Sequence, residues 1–284
     1  MKVTDQEIHD FIELCKKEDI KDGDHSALAC IPDHVTGKAR LLVKQEGILA
    51  GVELAEKIFK YFDPSASMEI MMKDGDKMKD GDVAFYISGN THCILKAERL
   101  VLNCMQRMSA VATMTYQVSS QIEDLKTMVL DTRKTTPLLR FLEKWAVRIG
   151  GGMNHRFGLY DMIMLKDNHI DYAGGIEKAI LKTQQYLKDN NKDLRIVIET
   201  RNLDEVNEVL KYGNVDRIML DNFSYADIKT AVALIGDKYE IEASGGITIE
   251  TVREYALCGV DYISMGALTH SVKNLDLSLK AVEG

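Results

Sequence analysis

The sequence has little of what marks secreted, membrane-spanning or nucleic-acid-binding proteins. Its five cysteines are widely spaced and include no C-x-x-C pair, a pattern typical of reduced thiols in a cytosolic protein. No apolar run approaches the length that spans a bilayer, and no signal-peptide pattern opens the chain. The formal net charge of −8 argues against a nucleic-acid partner, because a phosphate backbone requires a basic face. We therefore expect a soluble cytoplasmic protein that binds neither membrane nor nucleic acid.

Several catalytic signatures are also absent. The sequence has no Cys/His cluster at metal-ligand spacing, no G-x-S-x-G nucleophile elbow and no G-x-G-x-x-G after its first strand-like segment. These absences argue against a zinc centre, a serine hydrolase and a dinucleotide-binding fold. What is present is ordinary globular composition, 45% hydrophobic and 28% charged over 284 residues, which is enough for one large domain or two ordinary ones.

The first third of the chain predicts an antiparallel sheet accompanied by helices. Thr4 followed by Glu7 is the pattern of a capping box, which opens a helix. The text from 27 to 51 is β-like and begins with the strand-like run Ala-Leu-Ala-Cys-Ile. Residues 52–62 then have helical spacing that ends before Pro64.

Three more strands are predicted in this region, at 68–72, 83–88 and 92–95. The sequence Lys-Asp-Gly-Asp occurs twice between them, starting at Lys73 and at Lys79. A calcium loop of the EF-hand type needs a longer run of ligands that closes on a Glu, so we interpret both copies as turns.

The rest of the chain predicts a long helix followed by a parallel α/β barrel. Residues 96–126 contain no Gly or Pro and form one helix or two in succession, with a Met-rich face in the core. Short apolar runs then alternate with amphipathic helical text, which predicts parallel strands buried on both faces. Six such strands, or seven, favour a closed barrel over an open sheet; they are 128–131, 162–166, 196–199, 218–221, 239–242 and 262–265. The segment 274–284 is predicted to be a final helix or tail that packs back on the first domain.

Positive side chains gather where these strands end. Within a short stretch the sequence places five strong donors at predicted strand ends and glycine turns: Arg133, Lys134, His155, Arg156 and Lys166. Cations repel one another, so folding alone gives no reason to bring them together, whereas a ligand with several negative charges does. In parallel barrels the working residues lie at the carboxyl ends of the strands. The alternative for each donor by itself is a surface salt bridge to one of the many acidic residues.

Acidic residues and glycines occupy the other strand ends. Glu199 and Asp221 end consecutive strands. Paired carboxylates at such a place are suited to hold Mg²⁺ between the protein and a phosphate, or to bind ribose hydroxyls. The alternative is that both acids are simply solvated. Ser244-Gly245-Gly246 and Gly266 end the last two strands, and glycine amides there form a phosphate cradle. His169 and His270 are expected only to hydrogen-bond neighbouring backbone.

These residues carry a resemblance to a known family. Glu98-Arg99-Leu-Val-Leu-Asn-Cys-Met-Gln-Arg-Met-Ser109, Asp131-Thr-Arg-Lys-Thr-Thr-Pro137, Gly150-Gly-Gly-Met-Asn-His-Arg156, Leu165-Lys-Asp-Asn-His169 and Ser244-Gly-Gly246 stand in order over nearly the whole chain. Together they resemble the quinolinate phosphoribosyltransferase family. Leu138 and Ala110 depart from it, each standing where the family usually has Gly, which affects loop shape rather than charge. The related molybdenum-transport branch usually lacks the Asn-His-Arg and Lys-Asp-Asn-His segments, so it matches less well.

The resemblance implies a fold and an assembly. It implies an N-terminal open-faced α/β sandwich and a C-terminal seven-stranded, TIM-like α/β barrel. We place the sandwich at 1–112, the barrel at 113–270, and at 271–284 a segment that packs back on the sandwich. The resemblance further implies a head-to-tail homodimer in which Arg99 reaches into the partner subunit's barrel.

The resemblance also implies a role for each matching residue. The quinolinate pocket would be formed by Arg99, Arg133, His155, Arg156 and Lys166. Phosphoribosyl pyrophosphate would be bound by Lys134, Glu199, Asp221, Ser244, Gly245, Gly246 and Gly266. Lys166, Glu199 and Asp221 would be the catalytic residues, with Glu199 and Asp221 also facing Mg²⁺.

The expected reaction joins quinolinate to phosphoribosyl pyrophosphate and yields nicotinate mononucleotide, pyrophosphate and CO₂. Two other classes of protein compete with this hypothesis. One is a lyase that forms a Schiff base on Lys166, and the other is an anion sensor without catalytic activity that does not need the acid pair. A third alternative keeps the family and replaces quinolinate by nicotinate, which has one carboxylate fewer.

Overall fold

A computed structural model of the protein describes residues 3–282. This part of the chain divides into two compact units: residues up to Tyr116 with Thr136–Gly151 and the segment from Val272 form the first, and Gln117–Thr135 with Gly152–Ser271 form the second. No helix within the described range is both long and apolar enough to cross a membrane.

The elements are numbered in chain order. The helices are α1 (Asp5–Asp19), α2 (His25–Cys30), α3 (Val52–Phe62), α4 (Thr91–Ser119), α5 (Arg140–Ile149), α6 (Asp167–Ala173), α7 (Ile176–Asp189), α8 (Leu203–Tyr212), α9 (Tyr225–Ile235), α10 (Val252–Ala256) and α11 (Ala267–His270). The strands are β1 (Thr36–Val43), β2 (Gly47–Ile48), β3 (Ser67–Ile70), β4 (Lys77–Met78), β5 (Val83–Asn90), β6 (Met128–Leu130), β7 (Ile163–Leu165), β8 (Ile196–Thr200), β9 (Arg217–Asp221), β10 (Glu240–Ser244), β11 (Tyr262–Ser264) and β12 (Leu277–Val282).

The first unit contains an antiparallel sheet with the strand order β12-β1-β5-β3, as the sequence predicts for this region. Its opening helix α1 has the predicted capping box: the Thr4 hydroxyl accepts from the amide of Glu7 at 3.2 Å, and the Glu7 carboxylate accepts from the amide of Thr4 at 2.8 Å. Helix α3 has the predicted bounds. Met105 and Met108 of α4 are fully buried and Met114 is half-buried, so the predicted Met-rich face lies in the core at two of its three methionines.

Three sequence predictions for this unit are wrong. The run that begins at Ala27 is helix α2 instead of a strand, because the Asp24 side chain caps it by accepting from the amides of Ser26 and Ala27 at 3.1 Å. Residues 92–95 belong to α4, since Asn90 accepts from the amide of Cys93 at 3.2 Å and starts a helix there.

The third error concerns the end of the chain. Residues 277–282 form strand β12, which pairs antiparallel with β1, rather than a helix or an irregular tail. Leu277 and Leu279 are both buried, and this alternation has the period of a strand. Residues 283 and 284 of the predicted segment lie outside the described range.

The two Lys-Asp-Gly-Asp copies are turns, as predicted. In each copy the carboxylate of the second Asp accepts from the lysine amide, at 2.7 Å for Asp76 with Lys73 and 2.9 Å for Asp82 with Lys79. The remaining acid of the first copy, Asp74, caps helix α3 from a distance in sequence, because its carboxylate accepts from the Val52 amide at 2.8 Å.

Arg107 of α4 forms an ion pair within the first unit. Its guanidinium donates to the fully buried carboxylate of Glu143 at 2.7 and 2.9 Å. The amide of Thr136 also donates to this carboxylate, at 3.0 Å. The buried Glu143 of α5 thus connects Arg107 of α4 with the backbone of Thr136, all within the first unit.

The second unit is built on a parallel sheet with the order β6-β11-β10-β9-β8-β7, and these strands are the six that the sequence predicts. Strand β8 is buried at every position, as expected of a parallel strand covered on both faces. At the β6 edge, Met153 adds a single parallel bridge: its amide donates to the carbonyl of Val129 at 2.8 Å, and its carbonyl accepts from the amide of Asp131 at 3.2 Å. The sheet in the described part of the chain thus consists of six strands and one bridging residue.

Leu138 gives a test of backbone strain in the first unit. It has a φ of +66° and is 82% exposed, so it gains little from burial. The left-handed conformation costs a residue with a β-carbon roughly 1–2 kcal/mol, whereas Asn adopts it more readily. We predict that Leu138→Asn raises the free energy of unfolding by about 1 kcal/mol, measured as a higher midpoint of guanidinium unfolding at unchanged slope.

Leu159→Asn is the matched control for this prediction. Leu159 is 70% exposed and does not have a positive φ, so we expect no gain from this change. Equal midpoints for the two variants would contradict the strain at Leu138.

Candidate active site

The second unit contains a cavity of about 840 Å³. Eleven of the twelve residues that the sequence predicts for the site line it: Arg133, Lys134, His155, Arg156, Lys166, Glu199, Asp221, Ser244, Gly245, Gly246 and Gly266. The twelfth, Arg99, is an exposed residue of α4 in the first unit and does not line the cavity.

The parallel register explains why these residues meet. Strands β7 to β10 are neighbours in the sheet and run in the same direction, so their carboxyl ends lie at one edge. Ser244 at the end of β10 pairs directly with Asp221 at the end of β9. Residues two positions apart on one strand face the same side, which is why Met219 lines the cavity beside Asp221, and Glu242 beside Ser244.

Three of the predicted cations are not neutralised by the protein. Arg133, Lys134 and Arg156 form no ion pair with any residue between 3 and 282, so the surface salt bridge is rejected for them. Burial, and next the charge of Arg133, hold the pKa of Arg156 below its usual range. Arg156 is only 8% exposed, and its Nε is buried with no hydrogen-bond partner in the described structure. The geometry is that of a site for an anion.

Lys166 differs from the other lysine of the site. Its Nζ lies 2.7 Å from the nearly buried carboxylate of Glu199, so in this structure the salt-bridge alternative holds for Lys166. The Lys166 amide donates to Nδ1 of His169 at 3.0 Å, which confirms that His169 binds neighbouring backbone. His270 contacts the hydroxyl of the adjacent Ser271 at 2.5 Å and also lines the cavity.

The donor chemistry of Glu199 and Asp221 fits Mg²⁺ only in part. Carboxylate oxygens are suitable ligands, and both acids line the cavity. One oxygen of Asp221 accepts from the Asn222 amide group at 2.7 Å, and Glu199 is paired with Lys166. Between residues 3 and 282 no group of three or more His, Cys, Asp or Glu side chains forms a metal site. A bound Mg²⁺ would therefore need further oxygens from a phosphorylated ligand.

The Ser-Gly-Gly turn after β10 requires its first glycine. Gly245 has a φ of +95°, and a β-carbon there would lie 2.3 Å from Oδ1 and 2.7 Å from the backbone nitrogen of Asn222. Gly246 has a φ of +61°, but a β-carbon there would meet nothing within 4 Å. At Gly266 a β-carbon would lie 3.0 Å from both His270 and Lys134. Glycine thus keeps the backbone of the two turns close to their neighbours.

The sequence analysis did not identify one buried charged group in the wall of the cavity. Glu242 is fully buried, with Oε2 2.7 Å from Nη1 of Arg217 and 3.2 Å from Nε2 of His155. Burial alone would raise the pKa of Glu242, but its interactions with His155 and Arg217 outweigh this and lower it. The sequence carries a partial signal: Glu242 ends one strand predicted to be buried on both faces and Arg217 directly precedes another, and a charge buried there must be paired.

Backbone contacts determine how His155 is placed. Its amide donates to the buried carboxylate of Asp131 at 2.8 Å, and its Nδ1 accepts from the amide of Arg156 at 2.6 Å. A nitrogen that accepts carries no proton, so the ring proton resides on Nε2, which faces Glu242. Both ring nitrogens of His155 therefore face protein groups.

The arrangement as a whole defines a class of protein. A parallel α/β unit that gathers unpaired guanidinium groups, a carboxylate pair and glycine turns at the carboxyl end of its strands binds a phosphorylated, polyanionic ligand there.

Comparison with known proteins identifies the family within this class. The model of the quinolinate phosphoribosyl transferase N-terminal domain matches residues 24–109, and that of the C-terminal domain matches residues 111–280. The chain therefore belongs to the quinolinate phosphoribosyltransferase family, as the motifs predict.

Individual relatives agree with this assignment. The chain is 48% identical over 284 residues to quinolinate phosphoribosyltransferase [decarboxylating] 1b of Nicotiana tabacum, covering 95% of this chain and 81% of the relative. It is 41% identical to the probable nicotinate-nucleotide pyrophosphorylase [carboxylating] of Bacillus subtilis, covering 92% and 89%. The crystal structure of NadC from Streptococcus pyogenes matches with a TM-score of 0.92 at 38% identity, covering 100% of both chains. This similarity confirms the predicted α/β sandwich and TIM-like α/β barrel.

The two glycines after β10 give a test of the turn that forms one wall of the cavity. Replacing either by Ala introduces a β-carbon at positive φ, at a cost of roughly 1–2 kcal/mol. Only Gly245→Ala adds the collision with the Asn222 backbone, so we predict that it lowers the free energy of unfolding by about 1–3 kcal/mol more than Gly246→Ala does. Thermal unfolding of the two variants side by side measures the difference, and equal losses would show that the Asn222 contact does not constrain the turn.

Proposed function

We propose that this protein is an enzyme that transfers the phosphoribosyl group from phosphoribosyl pyrophosphate to quinolinate with decarboxylation. The products are nicotinate mononucleotide, pyrophosphate and CO₂, and the reaction belongs to NAD biosynthesis. One observation carries the proposal: a single cavity combines three unpaired cations, a Lys–Glu pair, a second acid and two glycine turns. Its relatives bear names that describe the same reaction.

Quinolinate would be bound by its two carboxylates. Arg133 and Arg156 present guanidinium groups to the cavity, and a guanidinium binds a carboxylate through two parallel hydrogen bonds. The buried, unpartnered Nε of Arg156 supports this placement. His155 and Lys166 would complete the wall, and Arg99 would enter from the partner subunit of a head-to-tail homodimer.

Phosphoribosyl pyrophosphate would occupy the side of the cavity formed by the glycine turns. Ser244, Gly245, Gly246 and Gly266 would bind the 5′-phosphate through hydroxyl and amide donors, with Lys134 beside Gly266. Glu199 and Asp221 would orient the ribose hydroxyls and hold Mg²⁺ together with oxygens of the substrate. Bound Mg²⁺ supplies positive charge that stabilises the pyrophosphate leaving group.

The chemistry needs positioning more than it needs a protein nucleophile. As the bond from C1 of the ribose to pyrophosphate breaks, an oxocarbenium-like centre forms, and the pyridine nitrogen donates its lone pair to C1. The positive pyridinium then stabilises the electron pair that remains on C2 when the 2-carboxylate departs as CO₂, and that pair takes up a proton. Lys166 would donate this proton. The protein contributes by holding the nitrogen in line and stabilising the charges.

The Schiff-base alternative has no support in the geometry. A lysine acts as a nucleophile when it is neutral, and its surroundings must favour that form. The Nζ of Lys166 instead lies 2.7 Å from the carboxylate of Glu199, so this nitrogen is held by an acid and is not free to attack a carbonyl group.

We also retain the cytoplasm as the proposed location, on the basis of the cysteine pattern. Among the relatives, the Arabidopsis thaliana protein is named chloroplastic and that of Nicotiana glauca mitochondrial, so relatives of this kind occur in organelles of plants.

The decisive experiment tests substrate and products together. Purified protein with Mg²⁺ and phosphoribosyl pyrophosphate is incubated with either quinolinate or nicotinate, and CO₂ and nicotinate mononucleotide are measured. We expect both products from quinolinate, and no turnover of nicotinate. Turnover of nicotinate alone would refute the assignment, and binding of quinolinate without turnover would favour the anion sensor.

Arg133→Ala tests the dicarboxylate pocket. Removal of a charge-assisted contact to a bound carboxylate should lower kcat/KM for quinolinate. The expected loss of transition-state binding free energy is roughly 2–4 kcal/mol. Arg201→Ala is the matched control, because Arg201 belongs to the same unit but is held on its surface by Asp171 and Glu205. An unchanged kcat/KM in Arg133→Ala, or an equal loss in both variants, would remove Arg133 from the pocket.

A further inference from the structure

The buried acid Glu242 has no role in the binding or chemistry described above. It lines the cavity, yet it is an anion at a site for anions, and its Oε1 has no hydrogen-bond partner in the described structure. An ionised carboxylate in such a place weakens the binding of a negative ligand unless it serves another purpose. Its contacts indicate what that purpose is.

Glu242 ends a chain of contacts that leads to the guanidinium of Arg156. Its Oε2 lies 3.2 Å from Nε2 of His155, and Nδ1 of the same ring accepts from the Arg156 amide at 2.6 Å. The imidazole is therefore held between a carboxylate on one side and the backbone of Arg156 on the other. Any rotation of the ring breaks both contacts, and the support of the Arg156 backbone is lost with them.

The carboxylate itself is fixed from behind. Arg217 donates to the same oxygen of Glu242 at 2.7 Å, and it also donates to Glu240 at 2.8 and 2.9 Å. The Arg217 guanidinium lies 3.9 Å from the ring centre of Tyr262, which stacks against it. Arg217 thus has partners that do not depend on Glu242, and it holds Oε2 in one position.

We propose that Glu242 is a positioning residue for the dicarboxylate subsite, which acts through the His155 ring to hold Arg156 in place. This inference rests on the proposed function, because it assumes that Arg156 binds a carboxylate of quinolinate. It assigns Glu242 no contact with substrate. The important property of Glu242 is the length of its side chain, which brings an oxygen close to His155. Its negative charge is needed only to keep that oxygen unprotonated.

Two conservative variants distinguish the effect of the length of the Glu242 side chain from the effect of its charge. Glu242→Asp keeps the negative charge but withdraws the oxygens by one methylene, out of contact with His155. Glu242→Gln removes the charge but can leave an oxygen where Oε2 accepts from Arg217 and faces Nε2 of His155 at 3.2 Å. We expect Glu242→Asp to raise KM for quinolinate by about ten-fold, because a buried ring nitrogen that loses the carboxylate facing it at 3.2 Å costs about this much. KM for phosphoribosyl pyrophosphate should stay within about two-fold, and Glu242→Gln should stay within about three-fold for both substrates.

Glu240→Asp is the matched control. Glu240 lies two residues earlier on the same strand, binds the same Arg217 and does not line the cavity. The same shortening there should leave both KM values unchanged.

Each other result overturns the inference. A loss in Glu242→Gln with none in Glu242→Asp would assign the residue an electrostatic role. An equal rise of both KM values in Glu242→Asp would indicate a general structural role, and a Glu242→Asp variant that matches the wild type and Glu240→Asp would leave no role in the site. If the wild-type protein does not turn over quinolinate, the proposed function itself is wrong. That outcome is seen without any variant and is therefore distinct from a failure of this inference.

Discussion

The candidate active site depends on positive charge held together without neutralisation. Arg133, Lys134 and Arg156 meet at the carboxyl end of a parallel sheet in a protein whose net charge is −8. The repulsion between the two guanidinium groups contributes to the lowered pKa of Arg156, so the free protein bears a local electrostatic cost. A dianionic ligand removes that cost when it binds. The same groups that strain the free site therefore supply affinity for the ligand, which is a common trade between stability and function.

Buried acids beneath the cavity make this arrangement tolerable. Asp131 accepts from the amide of His155, and Glu242 faces the His155 ring while it neutralises Arg217. Between residues 3 and 282, neither acid forms an ion pair with Arg133, Lys134 or Arg156. The protein thus places its negative charge where it fixes backbone and ring, and keeps it away from the groups that are to bind the ligand. A pairing of Glu242 with Arg156 would have satisfied both residues and closed the site.

The part of the fold that the sequence predicts is the part governed by local pattern. The six barrel strands are apolar runs that end in a polar residue, and the direction of parallel strands then brings Lys166, Glu199 and Asp221 to one edge without further information. The errors in the first unit have a local cause as well: Asp24 and Asn90 are helix caps that were not recognised, so α2 and the start of α4 were predicted as strands. What the sequence does not contain in local form is a contact between distant segments. The pairing of β12 with β1 joins segments that are far apart in the sequence, and the alternation of Leu277 and Leu279 does not specify that partner.

Distance in sequence also explains why the sequence predicts more cations for the anion site than the structure provides. The sequence offers five donors for the anion, but the structure places Lys166 against Glu199 and turns both nitrogens of His155 towards protein groups. Three unpaired cations remain. Lys134 lies beside Gly266 on the side of the glycine turns, which leaves one guanidinium from Arg133 and one from Arg156. If the proposed function holds, discrimination between quinolinate and nicotinate would follow from a match of two fork-shaped donors to two carboxylates. A ligand with a single carboxylate would leave one of two mutually repelling guanidinium groups unpaired.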